Sequence, residues 1–281
     1  MIHSKTLRLP VGMEGIGVHS GKPVRLRLLP SASGGIVFRR TDLGGAEMTL
    51  GPGRVESRNG TTLCGADFKI QTVEHLLAAL WVFGIDTLVI ELDAGEVPIM
   101  DGSAAPFARA MEAAGAVDLP VPRVALRIVR GFSLEDRGAM IAFAPPAPGG
   151  GLEIDYTIEY AHPAIGVRSL ALPLRWEVFS REIAPARTFG FLKDVEGLRA
   201  QGLALGASFE NTVVLDDVGI VGSPLRFPDE FIRHKHLDLA GDLALLGRPL
   251  RGRVTARKAG HRLHLAAVQH LLDHPDLTVE E

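Results

Sequence analysis

PDEFIRHKHLDLAGDLALLGRPLRGRVTARKAGHRLHLAAVQHLL, residues 228–272, reads as a long helix, a strand and a second helix. Apolar positions recur at helical spacing through 228–246 and Gly247 supplies a stop; residues 250–256 form the strand and 260–272 the final helix. Working back from this stretch, the first half of the chain has the same order. Val24, Leu26 and Leu28 alternate with Arg25 and Arg27 as a period-2 strand. Thr72 is read as the N-cap of a helix over 73–83, with Glu74 in its first turn and Gly84 at its end. A β-branched run, 86–92, predicts a strand, and Ser103 is expected to cap a helix over 104–114. The Pro-containing segment 119–122 reads as the domain boundary, after which strands are expected near 124–129, 140–144, 152–160 and 169–174. The expectation is an α+β fold of two similar domains, 1–120 and 121–281. Each is a small sheet layer with two helices, the helices packed between the sheets and the active site at the domain interface. The halves repeat element order without residue identity, so ancestral duplication stays open. Residues 186–217, rich in Gly, Ala, Leu and Phe, read either as an active-site insertion or as a loop packed on the core.

The 281 residues include 46% hydrophobic and 22% charged positions, enough for a substantial core. A formal net charge of -3 gives no global case for nucleic acid or for an anionic membrane surface. The single cysteine, Cys64, leaves no disulfide framework and no thiolate cluster, so a metal would be held through nitrogen and oxygen. No signal-peptide core and no apolar run of membrane-spanning length is apparent, and a cytoplasmic, monomeric protein is expected.

Within the long helix, His234 and Asp238 are i and i+4 and project from one face, while His236 points elsewhere. Such a pair is suited to a metal ion, although a surface hydrogen bond is its commoner use. Glu74 and His75 diverge by roughly 100° on their helix, so one could ligate an ion while the other addresses its water. The bland reading is a dipole-complementing Glu beside a partly buried His. His261 opens the last helix, with Asp242 one turn beyond Asp238 placed to compensate its charge. Six basic residues, Arg248, Arg251, Arg253, Arg257, Lys258 and Arg262, occur without an acidic one and form a candidate anion platform; a solvated strand face is the alternative. Asp101-Gly102-Ser103 lacks the elbow of a nucleophilic serine and reads as a turn.

Taken together, six blocks in order give a sharper reading. They are Glu14-Gly15-Ile16-Gly17-Val18-His19-Ser20-Gly21, Thr72-Val73-Glu74-His75-Leu76, Ile99-Met100-Asp101-Gly102-Ser103-Ala104-Ala105-Pro106-Phe107, Ala186-Arg187-Thr188-Phe189-Gly190-Phe191, Asp229-Glu230-Phe231-Ile232-Arg233-His234-Lys235 and Lys258-Ala259-Gly260-His261. Over almost its whole length the chain resembles the zinc-dependent UDP-3-O-acyl-N-acetylglucosamine deacetylases of lipid A biosynthesis. The resemblance implies zinc ligation by His75, His234 and Asp238, with iron(II) able to take the same ligands. It implies Glu74 as the base, His261 oriented by Asp242 as the group meeting the leaving amine, and Thr188 near the oxyanion. Lys235 and Lys258 match phosphate contacts, Tyr160 an aromatic residue under uracil, and the stretch from Phe189 a passage for the acyl chain. Where some members carry a diphosphate-contacting lysine this chain has Ala139, with Arg137 as a candidate substitute. The implied partner is a nucleotide-sugar lipid precursor. A deacetylase of another N-acyl sugar and a non-enzymatic ligand-binding homologue are the competing expectations.

Overall fold

The computed structural model describes residues 3–51 and 53–281. It is a mixed α+β structure. Six helices stand among small sheets: α1 (Glu74–Phe83), α2 (Ala105–Ala114), a single turn α3 (Trp176–Val178), α4 (Val195–Ala200), α5 (Glu230–Leu243) and α6 (His261–Asp273). In the first half, five strands are ordered Val11–Ile16, Pro23–Pro30, Leu88–Leu92, Ile36–Arg40 and Ala46–Thr49, antiparallel except where Ile36–Arg40 runs parallel to Leu88–Leu92. The predicted alternation holds: Val24, Leu26 and Leu28 are buried while Arg25 and Arg27 are exposed and paired with Asp93 and Glu91.

The second half is built around Leu250–Arg257. That strand pairs parallel with Leu152–Glu159 on one side and antiparallel with Ala139–Ala144 on the other. Each half therefore has a parallel pair within its sheet and two long helices of its own. Helix α1 packs on α2, α5 on α6, and α1 and α5 pack on each other. Gly84 and Gly247, the two predicted stops, both take left-handed conformations at the ends of their helices.

Ala116–Pro122, across the expected domain boundary, is a strand paired with His3–Leu7. A two-stranded ribbon has only edges, where proline costs no ladder bond. Thr72 is not the N-cap of α1. It sits at φ +56°, Val73 occupies the cap position, and the Thr72 hydroxyl donates to Glu96 instead. Ser103 does accept the Ala105 N–H at 3.2 Å while donating to Asp101 at 2.7 Å, in line with its turn reading.

Residues 186–217 are ordered. Strand Phe189–Phe191 pairs parallel with Val213–Leu215, which pairs with Ile220–Val221, and α4 lies between the first two. Its near end is anchored by Arg187, whose backbone N–H and guanidinium bind the fully buried Glu230 at 2.8–3.1 Å, with the Arg226 N–H at 2.6 Å. Burial opposes ionisation of Glu230, but these donors prevail and hold its pKa below the usual carboxylate range. The resulting stability is present above the unfolded-state pKa of about 4.3 and is lost as pH falls through the folded one. Glu230→Gln is expected to cost about 2 kcal/mol at neutral pH and to flatten the acid side of the stability profile, read from urea midpoints between pH 3 and 7.

Candidate active site

Helices α1 and α5 touch backbone to backbone. A Cβ at Gly241 would lie 2.1 Å from the Glu74 carbonyl oxygen, so only glycine permits the approach. The approach brings the first turn of α1 against two turns of α5. His75, His234 and Asp238 thereby place donor atoms within 4.8 Å of one another, all three side chains being buried. His234 Nε2 lies 3.2 Å and His75 Nε2 3.8 Å from Asp238 Oδ1. Ligands held at about 2.1 Å in a tetrahedron sit about 3.4 Å apart, so the set has the spacing of a three-ligand metal site with one position left for water or substrate.

Protonation favours the same fit. Burial first, and then the neighbouring His234, push the His75 pKa down to about 3. His234 is lowered by burial as well, and its Nδ1–H donates to the Ala186 carbonyl at 3.1 Å, leaving the Nε2 lone pair turned to the cluster. Burial would raise Asp238, but His234 and Lys235 outweigh it and hold the carboxylate well below its usual range. Two neutral imidazoles and one carboxylate are a proper donor set for a divalent cation with nitrogen and oxygen preference. His75 Nδ1 is buried without a hydrogen-bond partner.

Glu74 stands beside this set. Its Oε2 accepts the Thr61 N–H at 3.0 Å, and burial, aided by Asp238 and Asp242, raises its pKa to about 7 against the opposing pull of His261. His261 faces it from the start of α6. Burial would lower the imidazole, but Asp242 and then Asp238 prevail and raise it to about 9. Its Nδ1 is 2.8 Å from Asp242 Oδ2 and its Nε2 3.7 Å from Asp238. At neutral pH the site thus holds a carboxylate near half-ionisation opposite a protonated imidazole, a pairing suited to moving protons.

A cavity of about 700 Å³ opens on these groups. Glu74, His75, His234, Lys235, Asp238 and His261 line it together with the apolar Phe189, Phe191, Leu192, Leu198 and Phe209, and with Thr188 and Lys258. Asp242 is behind His261, fully buried. Other expected contacts are placed differently. Lys235 donates to Asp238 Oδ2 at 2.7 Å and lies 5.5 Å over the Phe189 ring. Lys258 is 3.0 Å from Glu159. Tyr160 packs edge-on to Phe189 and against Phe191 rather than on the cavity lining. Arg137 is exposed in the turn of a hairpin whose Asp136 and Ala139 line the cavity.

The basic run is no free anion platform. Arg248 pairs with Glu280, Arg251 with Glu281, Arg253 with Glu153, Arg257 and Lys258 with Glu159, and Arg262 with Asp136. Adjacent strands and the C-terminal residues supply acids that the linear sequence separates from it.

A family model described as UDP-3-O-acyl N-acetylglycosamine deacetylase matches residues 4–273. The chain belongs to this deacetylase family. The UDP-3-O-acyl-N-acetylglucosamine deacetylase of Myxococcus xanthus is 44% identical over 277 residues, spanning 97% of this chain and 87% of its own length. Its counterpart from Thermodesulfovibrio yellowstonii is 42% identical, spanning 97% and 93%, and that from Oleidesulfovibrio alaskensis is 43% identical, spanning 98% and 91%. Among the described residues no helix is long and apolar enough to cross a membrane.

Two members of this family site escaped sequence reasoning. Thr61 joins both halves of the proton apparatus: its N–H binds Glu74, and its hydroxyl donates to Asp242 at 2.5 Å. His264 places a second imidazole Nδ1 2.8 Å from Asp242 Oδ2, and its Nε2 is 3.0 Å from the Tyr156 hydroxyl. His264 follows His261 at i+3, so helical spacing carried a signal for it; Thr61 had none.

Proposed function

We propose that the chain removes the N-acetyl group of UDP-3-O-(3-hydroxyacyl)-N-acetylglucosamine, giving acetate and the free amine in lipid A biosynthesis, with zinc held by His75, His234 and Asp238. The observation that carries this reading is the convergence of Glu74, the three donors and the His261–Asp242 pair on a cavity that Phe189, Phe191, Leu192, Leu198 and Phe209 also line. Family membership over residues 4–273 supports the substrate class. Zinc bound there supplies Lewis acidity that activates water at neutral pH and polarises a carbonyl.

The chain's own groups handle the protons. Glu74 Oε takes the proton of the attacking water, and its pKa near 7 leaves enough carboxylate to do so. His261 enters protonated, its Nδ1–H held by Asp242, and presents Nε2–H to the developing negative charge and then to the departing amine. The Thr188 hydroxyl lines the same cavity and adds a donor. Lys235 and Lys258 supply positive charge for the diphosphate, Tyr160 backs the aromatic wall formed by Phe189 and Phe191, and that wall begins the path of the acyl chain. The site lies where residues 1–120 and 121–281 meet, which we take as the two domains.

Acetate release from the acylated substrate, compared with the same nucleotide sugar lacking its acyl chain, tests the reading. Burying four methylenes at about 0.8 kcal/mol each is worth about two hundredfold, and kcat/KM is expected to fall by that much without the chain. Equal rates on both would assign the enzyme to another N-acyl sugar. No acetate from either would leave a ligand-binding homologue.

A further inference from the structure

Glu96 is a buried carboxylate outside the proton apparatus, and four donors converge on it. Its Oε1 accepts the His19 N–H at 2.9 Å and the Thr72 hydroxyl at 3.0 Å; its Oε2 accepts the Ser20 N–H at 2.8 Å and the Ser20 hydroxyl at 2.6 Å. At 1% exposure it has no use for solvent. A Cβ at Gly17 would fall 2.0 Å from Oε2, so the loop over 17–21 is wrapped on this carboxylate as closely as a chain can be.

That loop is also one jaw of a clasp. The Leu205 N–H donates to the His19 carbonyl at 3.1 Å and the Gly206 N–H to the Val18 carbonyl at 3.0 Å, joining the loop to residues 201–206 of the insertion. Gly206 is so close that a Cβ there would lie 2.3 Å from the Gly17 carbonyl oxygen. The His19 ring spans the join, Nε2–H donating to the Asn59 carbonyl at 2.8 Å while Nδ1 receives the Ala204 N–H at 3.4 Å. Val18, His19 and Ala204 line the apolar cavity, so the clasp is part of its wall.

We propose that Glu96 is a specificity-determining positioning residue: by fixing the 17–21 loop it holds the clasp shut and so sets the fit of the acyl chain. This rests on reading the apolar cavity as the acyl path. The Glu96 carboxylate touches the segment that leads into α1 through the Thr72 hydroxyl, and Glu74 has anchors of its own: the Val73 N–H on the Thr61 carbonyl at 3.2 Å, the Thr61 N–H on its carboxylate, and the Gly241 contact. Discrimination between acyl chains should therefore move while turnover stays.

Glu96→Gln keeps the shape but turns an NH₂ towards a backbone N–H whichever way the amide lies, leaving His19 or Ser20 without its acceptor. The expected result is a KM for the acylated substrate raised about tenfold, kcat within about threefold, and the advantage of the acylated over the chain-free substrate reduced about tenfold. Gly206→Ala opens the clasp from the other side without touching Glu96 and should give the same signature; it decides the matter if Glu96→Gln does not fold. Unchanged discrimination, or an equal fall in kcat on both substrates, overturns the proposal. A wild-type enzyme indifferent to the chain overturns the substrate reading instead, so the two failures are distinct.

Discussion

Glu74→Gln is expected to bind its metal in full and to lose about a thousandfold in kcat, the middle of the range for removing a positioned general base. The amide preserves the side chain's volume and can still accept the Thr61 N–H through its oxygen, and Gly241 meets the backbone of residue 74 rather than its carboxylate. His75, His234 and Asp238 are untouched, so metal content by elemental analysis should match the wild type. What disappears is the one carboxylate of the cluster raised by burial, to about 7: the His75 imidazole is pushed to about 3, and Asp238 is held below the carboxylate range. KM should stay within a few fold, because the residue is asked to act in the transition state and not in the ground state. A variant that turns over at the wild-type rate would remove Glu74 from the proton path. One that loses metal and rate together would make it part of the metal site.

The parts of this arrangement that were legible in the sequence were those governed by short-range rules. The i, i+4 spacing of His234 and Asp238 is a property of one helix, and Gly84 and Gly247 mark helix ends because a left-handed residue without Cβ is needed there. Thr72 misled because a threonine before an acidic first turn has a local use as a cap, yet a buried carboxylate 24 positions away offers its hydroxyl a stronger partner. Pro120 and Pro122 read as a break in the pattern because proline is unwelcome inside sheets; nothing local announces a two-stranded edge partner at residues 3–7. The basic run looked unpaired for the same reason: Glu153, Glu159, Glu280 and Glu281 reach it only through strand pairing and the return of the chain end. The site shows the limit most plainly. Spacing permitted a ligand pair on α5, but only the glycine contact between α1 and α5 brings His75 to it, and the family resemblance supplied that information before the packing did.

Asp242→Asn should cost about a thousandfold in kcat while leaving bound metal intact, an effect that separates orientation of His261 from metal ligation. One oxygen of Asp242, Oδ2, lies 2.8 Å from both the His261 and His264 Nδ1 atoms, and the other takes the Thr61 hydroxyl at 2.5 Å. A carboxylate accepts at all of these; an amide offers a single oxygen and two donors. If the oxygen stays with the imidazoles, the NH₂ meets the Thr61 hydroxyl, which can turn to accept, but the negative charge that holds His261 protonated is gone. If the amide lies the other way, Nδ1 of His261 must become an acceptor and the ring adopts the opposite tautomer. Either way the imidazolium is lost: in the first case the neutral ring keeps its proton on Nδ1 and presents a bare Nε2, and in the second it keeps Nε2–H but as a neutral imidazole, far too weak an acid to protonate the leaving amine. Because Asp242 is fully buried, the charge removed cannot be replaced by solvent. The alkaline limb of the rate profile, set in the wild type by a His261 pKa of about 9, should move to lower pH in the variant, since the ion pair that raises it is absent. Retained rate with an unmoved alkaline limb would show that His261 keeps its proton without Asp242. Loss of metal would instead mean that the carboxylate supports the ligand cluster through His261 and Asp238, which lie 3.7 Å apart.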